Sequence, residues 1–384
     1  SQKSCSIRVS PTVMGAAAAT AQPLHVLSMP DVPRAAQLSG AQAGTIAAEE
    51  CHKSMDLLVR GDLAASLKSA DAAVEEDASS SLVWNNRCGV RLHAGDFDGA
   101  FEDAQQLIAL NEAEPSGWSF RAAARLGKGD YKGTIADSTV AIRLGARSPW
   151  VWSYRGLARL HEHDFVGAIE DLSQALMKDP LRAKDWERRG LARLWRQEVI
   201  AAASDFSEAI RLDARSSSSW GHRALVRAMQ GDSTGAFADA DRALRLDQAS
   251  GAAYAARAWA KLAGADYQGA LEDATTAINN DGTLAQAWAV RAQASIALAS
   301  YSAAVEDCSE ALTHDPHLLE ALVCRARARC LKGDTDSAVE DCTLALEMDP
   351  KAAAAAGVQS VLERARSTQH TMQAWQQTPT VIQW

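Results

Sequence analysis

An all-α array of helical hairpins is the fold class this sequence predicts, and three observations carry it. The stretch WNNRCGVRLHAGDFDGAFED, residues 84–103, reads as two amphipathic helices around a Gly-Asp turn. Its pattern returns every 34 residues, in blocks that begin at 81, 115, 149, 183, 217, 251, 285 and 319. At matching places each block keeps its side chains consistently bulky or consistently small, which is what closely packed helix pairs need.

In chain order, residues 1–46 come first, rich in Ala, Ser, Pro and Gln and with no acid before Asp31. Such a segment lacks the apolar content for a core of its own and is expected to be an extended N-terminal tail. Residues 47–80 are a degraded copy of the block, with RGDLAAS at the turn and Ala73 and Asp77 in register, expected to cap the array. Residues 81–352 hold the eight complete copies. In these the fourth position is Trp84, Trp118, Trp152, Trp186, Trp220, Tyr254, Trp288 and Leu322. The eighth is always small, from Cys88 to Ala326, and the twentieth is Ala in all but Thr134. After Pro350 the segment 353–372 reads as a C-terminal capping helix with Val358, Val361 and Leu362 on one face, since an array's last unit needs a cover. Residues 373–384 form a C-terminal tail with Trp375 and Trp384. Both tails are expected to dock on a partner or on the array itself.

The 34-residue period and these positions resemble the tetratricopeptide repeat family over about 70% of the chain. The resemblance implies a right-handed superhelical α-solenoid of helix-turn-helix repeats whose first helices line a concave groove.

Two charges recur inside the hairpins. The seventh position is Arg87, Arg121, Arg155, Arg189, Arg223, Arg257, Arg291 and Arg325; the twenty-third is Asp103, Asp137, Asp171, Asp205, Asp239, Asp273, Asp307 and Asp341. On a helical hairpin these places face one another, so each Arg reaches an Asp of its own repeat or of an adjacent one. They are expected to be structural ion pairs. A second set pairs positions eleven and sixteen, as in Arg91 with Asp96, Arg193 with Glu198, Lys261 with Asp266 and Arg329 with Asp334; in one block both give way together, to Ser295 and Ser300.

Bulk composition narrows the function. The net charge is −9, and beyond residue 46 the chain has 36 basic against 47 acidic residues, the wrong sign for tracking phosphates, so no nucleic-acid partner is expected. Neither a run of 18 apolar residues nor a basic-then-apolar leader is present, which predicts a soluble protein with no transmembrane segment. Seven cysteines without Cys-x-x-Cys predict neither zinc nor a disulfide framework and suit an intracellular, reducing compartment. The cytoplasm is expected, or an organelle given the acid-poor N-terminus. Gly-x-Ser-x-Gly, phosphate-binding Gly-rich loops and His-Glu-x-x-His are absent, and His161, His163, His314 and His317 read as solvated turn residues. No catalytic, cofactor or metal residues are expected, and the chain is expected not to be an enzyme.

What remains is a binding role. The resemblance places positions two, five, six, nine, twelve and thirteen on the groove, which gives as candidate partner-binding residues Asn86, Tyr154, Leu157, Arg188, Leu191, Trp195, His222, Leu225 and Trp259. The ninth-position run Leu157, Leu191, Leu225, Trp259 would hold an apolar helix face or an extended segment of another protein, or else packs between neighbouring first helices. Asn86, Lys184 and Arg188 match fragments of the two-carboxylate clamp of heat-shock co-chaperones, but neither register is complete. The expected function is therefore a non-enzymatic protein-interaction scaffold, a structural subunit of a larger multiprotein assembly. The alternative is a co-chaperone-like adaptor for client or heat-shock C-terminal peptides.

Overall fold

The computed structural model describes residues 46–316 and 318–377, and among them there are helices and turns but no strand. The N-terminal tail to residue 45, residues 378–384, His317 and the Trp375 side chain lie outside the described residues, and the docking of the tails lies outside them too.

A first hairpin, α1 (Ile46–Val59) and α2 (Leu63–Glu76), precedes eight more. These are α3 (Ser81–Ala94) with α4 (Phe97–Leu110), α5 (Pro115–Gly127) with α6 (Tyr131–Arg143), and α7 (Pro149–His161) with α8 (Phe165–Lys178). Next come α9 (Ala183–Trp195) with α10 (Val199–Leu212), α11 (Ser217–Met229) with α12 (Ser233–Leu246), and α13 (Gly251–Ala263) with α14 (Tyr267–Asn280). The last are α15 (Ala285–Ala297) with α16 (Tyr301–His314) and α17 (Leu319–Lys332) with α18 (Thr335–Met348).

The chain divides into two compact units between Ala192 and Arg193. Within the first, each helix from α1 to α8 packs on the next, and first helices also touch one repeat on, α1 to α3, α3 to α5 and α5 to α7. Within the second, the same holds from α10 onward, with α11 on α13, α13 on α15 and α15 on α17.

Local chemistry explains the hairpins. The turn residue just before the sixteenth position is left-handed in all nine: Gly95 at φ 77° and Gly231 at φ 82° show the natural occupant, but His163, Gln197, Ala265 and Ala299 take φ between 60° and 63° without being glycine. Where an Asp follows it caps the second helix, as when Asp96 accepts from Gly99 N at 2.9 Å and Asp232 from Gly235 N at 2.9 Å, while Glu198 and Ser300 make no such side-chain cap. Small residues then let the helices meet: Cys88, Ala100, Ala122, Ala158, Ala168, Ala224 and Ala236 are each wholly buried. Fourth-position tryptophans fix the preceding loop, with Trp84, Trp118, Trp186, Trp220 and Trp288 donating from Nε1 to the carbonyl six residues back at 2.8–3.1 Å. Trp152 is the exception. The loop before it runs through Gly145 at φ 90°, and its Nε1 is buried without a partner.

The end of the chain departs from the expected single capping helix. Two helices, α19 (Pro350–Ala355) and α20 (Val358–Gln377), are broken by Gly357 at φ 79°, a conformation that stops a helix. Helix α20 lies on α17 and α18, where Val358 and Leu362 join the cluster of Leu319, Leu322, Ala326, Cys342 and Ala345.

Candidate functional site

Seven repeats share one arrangement, in which an Arg uses Nε and Nη2 to grip both oxygens of the Asp sixteen residues on. The distances are 3.1 and 2.8 Å for Arg87 with Asp103, and 2.9 and 2.7 Å for Arg155 with Asp171. Arg121 with Asp137, Arg223 with Asp239, Arg257 with Asp273, Arg291 with Asp307 and Arg325 with Asp341 repeat it. Arg189 and Asp205 fall on opposite sides of the division between units; Arg189 donates to Ser173 Oγ at 3.0 Å, and Asp205 pairs with Arg193 at 2.8 Å. Each seventh-position guanidinium from Arg87 to Arg291 also lies over the aromatic ring three residues earlier, 4.6–5.3 Å from its centroid. These arginines are packed on every side and offer no basic groove.

The pairing of positions eleven and sixteen is present in four repeats, at 3.4–3.8 Å, but it is not the shorter contact of the eleventh residue. The eleventh residue reaches past the turn to the buried Asp at twenty-three: Arg91 to Asp103 at 2.8 Å, Arg125 to Asp137 at 3.2 Å, Arg159 to Asp171 at 2.9 Å, Arg227 to Asp239 at 2.8 Å, Lys261 to Asp273 at 2.9 Å and Arg329 to Asp341 at 2.8 Å. Contacts with the sixteenth are longer, 3.6 Å for Arg91 with Asp96 and 3.8 Å for Arg227 with Asp232, and Glu198 pairs instead with Arg196. The physical reason is that the sixteenth carboxylate is already engaged by the helix N-terminus it caps and stays half-exposed. A third partner is unforeseen. From the seventh position, Nη1 reaches the twenty-fifth residue of the preceding repeat: Arg87 to Asp71 at 3.0 Å, Arg155 to Thr139 at 3.1 Å, Arg223 to Ser207 at 3.3 Å, Arg325 to Ser309 at 3.4 Å. That place is polar in every block, Asp71, Gln105, Thr139, Ser173, Ser207, Asp241, Thr275, Ser309 and Thr343, and this run was the available signal.

In the first unit the inner positions are filled. Asn86 does not face an open groove: it is 5% exposed and its Nδ2 donates to Cys51 O on α1 at 3.3 Å. Tyr154 and Leu157 are corrected likewise, because with Phe120 they sit in the core beside Cys88, Leu92 and Ala123. Burial pushes the Tyr154 phenol up, against the pull of Arg182 and Arg188, and its hydroxyl has no hydrogen-bond partner. Arg188 is tied down, its Nη1 3.3 Å from both Asp185 Oδ1 and Ser153 Oγ; Asp185, wholly buried, also pairs with Arg182, whose guanidinium lies 3.6 Å over the Trp150 ring. Lys184 pairs with Glu187 at 3.0 Å. The clamp-like cations are thus neutralised by their own neighbours. Leu191 is half-buried on Leu160, Ala168 and Ala192. At the turn, His161 stacks on Tyr131 with ring centroids 4.2 Å apart, and burial first, then Arg188 and His163, lower its pKa. No group of three metal-ligating side chains forms among the described residues.

In the second unit the candidate inner residues are of intermediate burial. His222 stacks on Phe206 with centroids 5.4 Å apart. Leu225 lies on Ala224, Ala240 and Ala256, and Trp259 rests between the clusters of Ala228, Ala236, Ala260 and of Ala258, Ala274, Val290. Both are partly buried, as is Trp195, and the fifth position is small in these helices, Gly221, Ala255 and Ala289.

No family model matches the sequence, and no curated protein matches it. Solved structures do. The Cut9–Hcn1 hetero-tetramer of the APC/C aligns with TM-score 0.55 at 15% identity, over 78% of this chain and 58% of that one. A tetratricopeptide repeat protein from Parabacteroides merdae aligns with TM-score 0.46 at 17% identity, over 65% and 99%, and yeast Tom70 with TM-score 0.40 at 14% identity, over 84% and 96%. The chain spans little more than half the length of the first of these. The consecutive packed helix pairs are the tetratricopeptide repeat fold. No helix among the described residues is long and apolar enough to cross a membrane.

Proposed function

We propose that the chain is a non-enzymatic scaffold for protein–protein contacts, a structural subunit of a larger multiprotein assembly. The observation that carries this reading is the inner face of α11 and α13, where the large side chains Leu225 and Trp259 are only partly buried, on the same helix faces as Gly221 and Ala255. A large aromatic and a leucine that keep part of their surface in solvent supply contact area for an apolar segment. That a hetero-tetrameric APC/C assembly shares the fold supports it.

The test is affinity purification of the tagged chain with mass spectrometry, for wild type, Leu225→Asp and Trp259→Ala. Loss of the same co-purifying proteins from both variants, with the helical circular dichroism unchanged, is expected. Full retention in both would remove this face as the interface. The adaptor reading has less support, because Lys184 and Arg188 are already paired. Micromolar binding of an acidic C-terminal peptide, lost in Lys184→Ala, would put it in place of the scaffold.

A further inference from the structure

All the described cysteines are free thiols, and two of them share one buried cluster. The twenty-fourth residue of one repeat touches the sixth residue of the next, on consecutive helices: Phe206 stacks on His222, Ala240 shares a cluster with Ala256, and Ala274 shares one with Val290. At α16 and α17 both places are cysteine. Cys308 and Cys324 lie together in the cluster of Ala292, Ala304 and Ala328, on consecutive helices and at the two places that meet in the neighbouring repeats. Cys308 is 0% exposed and Cys324 5%.

We propose that Cys308 and Cys324 are a dithiol that closes reversibly to a disulfide, clipping the seventh repeat to the eighth. The oxidant is a small-molecule disulfide, R–S–S–R. Cys324, the more accessible thiol, loses its proton to solvent and its sulfur attacks one sulfur of the oxidant, forming a mixed disulfide and expelling R–S⁻. Cys308 then loses its proton, its sulfur attacks Cys324 Sγ, and the second R–S⁻ leaves. Two electrons pass from the dithiol to the oxidant, the two released thiolates take up the two protons, and one S–S bond replaces another. Its neighbour Cys324 and then burial hold the Cys308 thiol well above its usual pKa, so Cys308 stays a thiol until the mixed disulfide at Cys324 presents it with a partner. Because both cysteines are buried in one packed cluster, the native chain holds them at a far higher effective concentration than the unfolded chain does.

The test equilibrates the full chain with mixtures of reduced and oxidised glutathione, natively and in urea, quenches by alkylation and maps the linkage by peptide mass spectrometry. Cys308→Ala and Cys324→Ala serve as controls, since alanine occupies the same places at Ala240 and Ala256 and keeps these helices packed. Expected is one Cys308–Cys324 link per chain, two hydrogens lighter, reversed by dithiothreitol, absent from both variants, and favoured in the native chain over the urea-unfolded one by at least about tenfold in its equilibrium with glutathione. A link no more favourable natively than in urea, glutathione left attached to either thiol, or pairing of other cysteines would overturn the proposal.

Discussion

Swapping the turn residue in two successive hairpins isolates one physical quantity. Gly231 sits at φ 82°, and a Cβ built on it would meet nothing within 4 Å, so Gly231→Ala introduces backbone strain and no clash. Ala265 holds the equivalent place of the next hairpin at φ 63°, already bearing that strain. A left-handed conformation costs an L-residue about 1–2 kcal/mol. Against this, alanine narrows the unfolded ensemble by roughly 0.4–1 kcal/mol relative to glycine. The net is about 0.5–1 kcal/mol, lost in Gly231→Ala and gained in Ala265→Gly. In a unit of this size that is a shift of roughly 1–4 °C in melting temperature, with opposite signs for the two variants. Both residues belong to the same compact unit, so one thermal or urea melt followed by circular dichroism reads both. Shifts of the same sign, or none, would refute the reasoning, since helix propensity or general flexibility would then govern the turn.

Two further outcomes follow from the buried charges. Asp171→Asn strands Arg155 and Arg159 and is expected to cost about 3–5 kcal/mol, whereas Asp307→Asn costs less because Ser295 stands where other repeats have their second cation; equal losses in urea melts would remove the eleventh position from the account. For His161 the folded pKa lies below the ordinary 6.5, so below that pH the unfolded chain binds a proton the folded one resists. Its contribution is fully present above pH 6.5 and is lost as pH falls toward the folded value; His161→Phe, which keeps a ring against Tyr131, should flatten the stability profile there, and an unchanged slope in pH-dependent melts would assign it elsewhere.

The hairpin array was legible because its signal is periodic. A residue repeated at one register, such as Arg at seven or Asp at twenty-three, points to a fixed geometric role without any structure in view. What the sequence hid depends on reach and volume. The eleventh residue is spaced to meet the sixteenth, yet a long Arg side chain crosses the turn to a better desolvated carboxylate. The inner face was assigned by position alone, and position does not reveal that Phe120 and Tyr154 are large enough to fill it or that Asn86 finds the Cys51 carbonyl 35 residues away. Gln197 and Ala265 gave no hint of a left-handed backbone, because only their place beside the capping acid imposes it.

Where it forms, as at Arg87, Arg155, Arg223 and Arg325, the third contact of the seventh-position arginine ties its own helices to the repeat before it, so within each unit it belongs to the interface between neighbours. Stability in such arrays behaves as a chain of linked terms, each repeat leaning on the next, and melting spreads from the weakest link. Those links are graded. Asp71 offers Arg87 a carboxylate and Thr139 offers Arg155 a hydroxyl, while Arg121, facing Gln105, has its described hydrogen bonds with Asp137 alone. One polar side chain per repeat therefore grades the strength of the link between a repeat and the one before it.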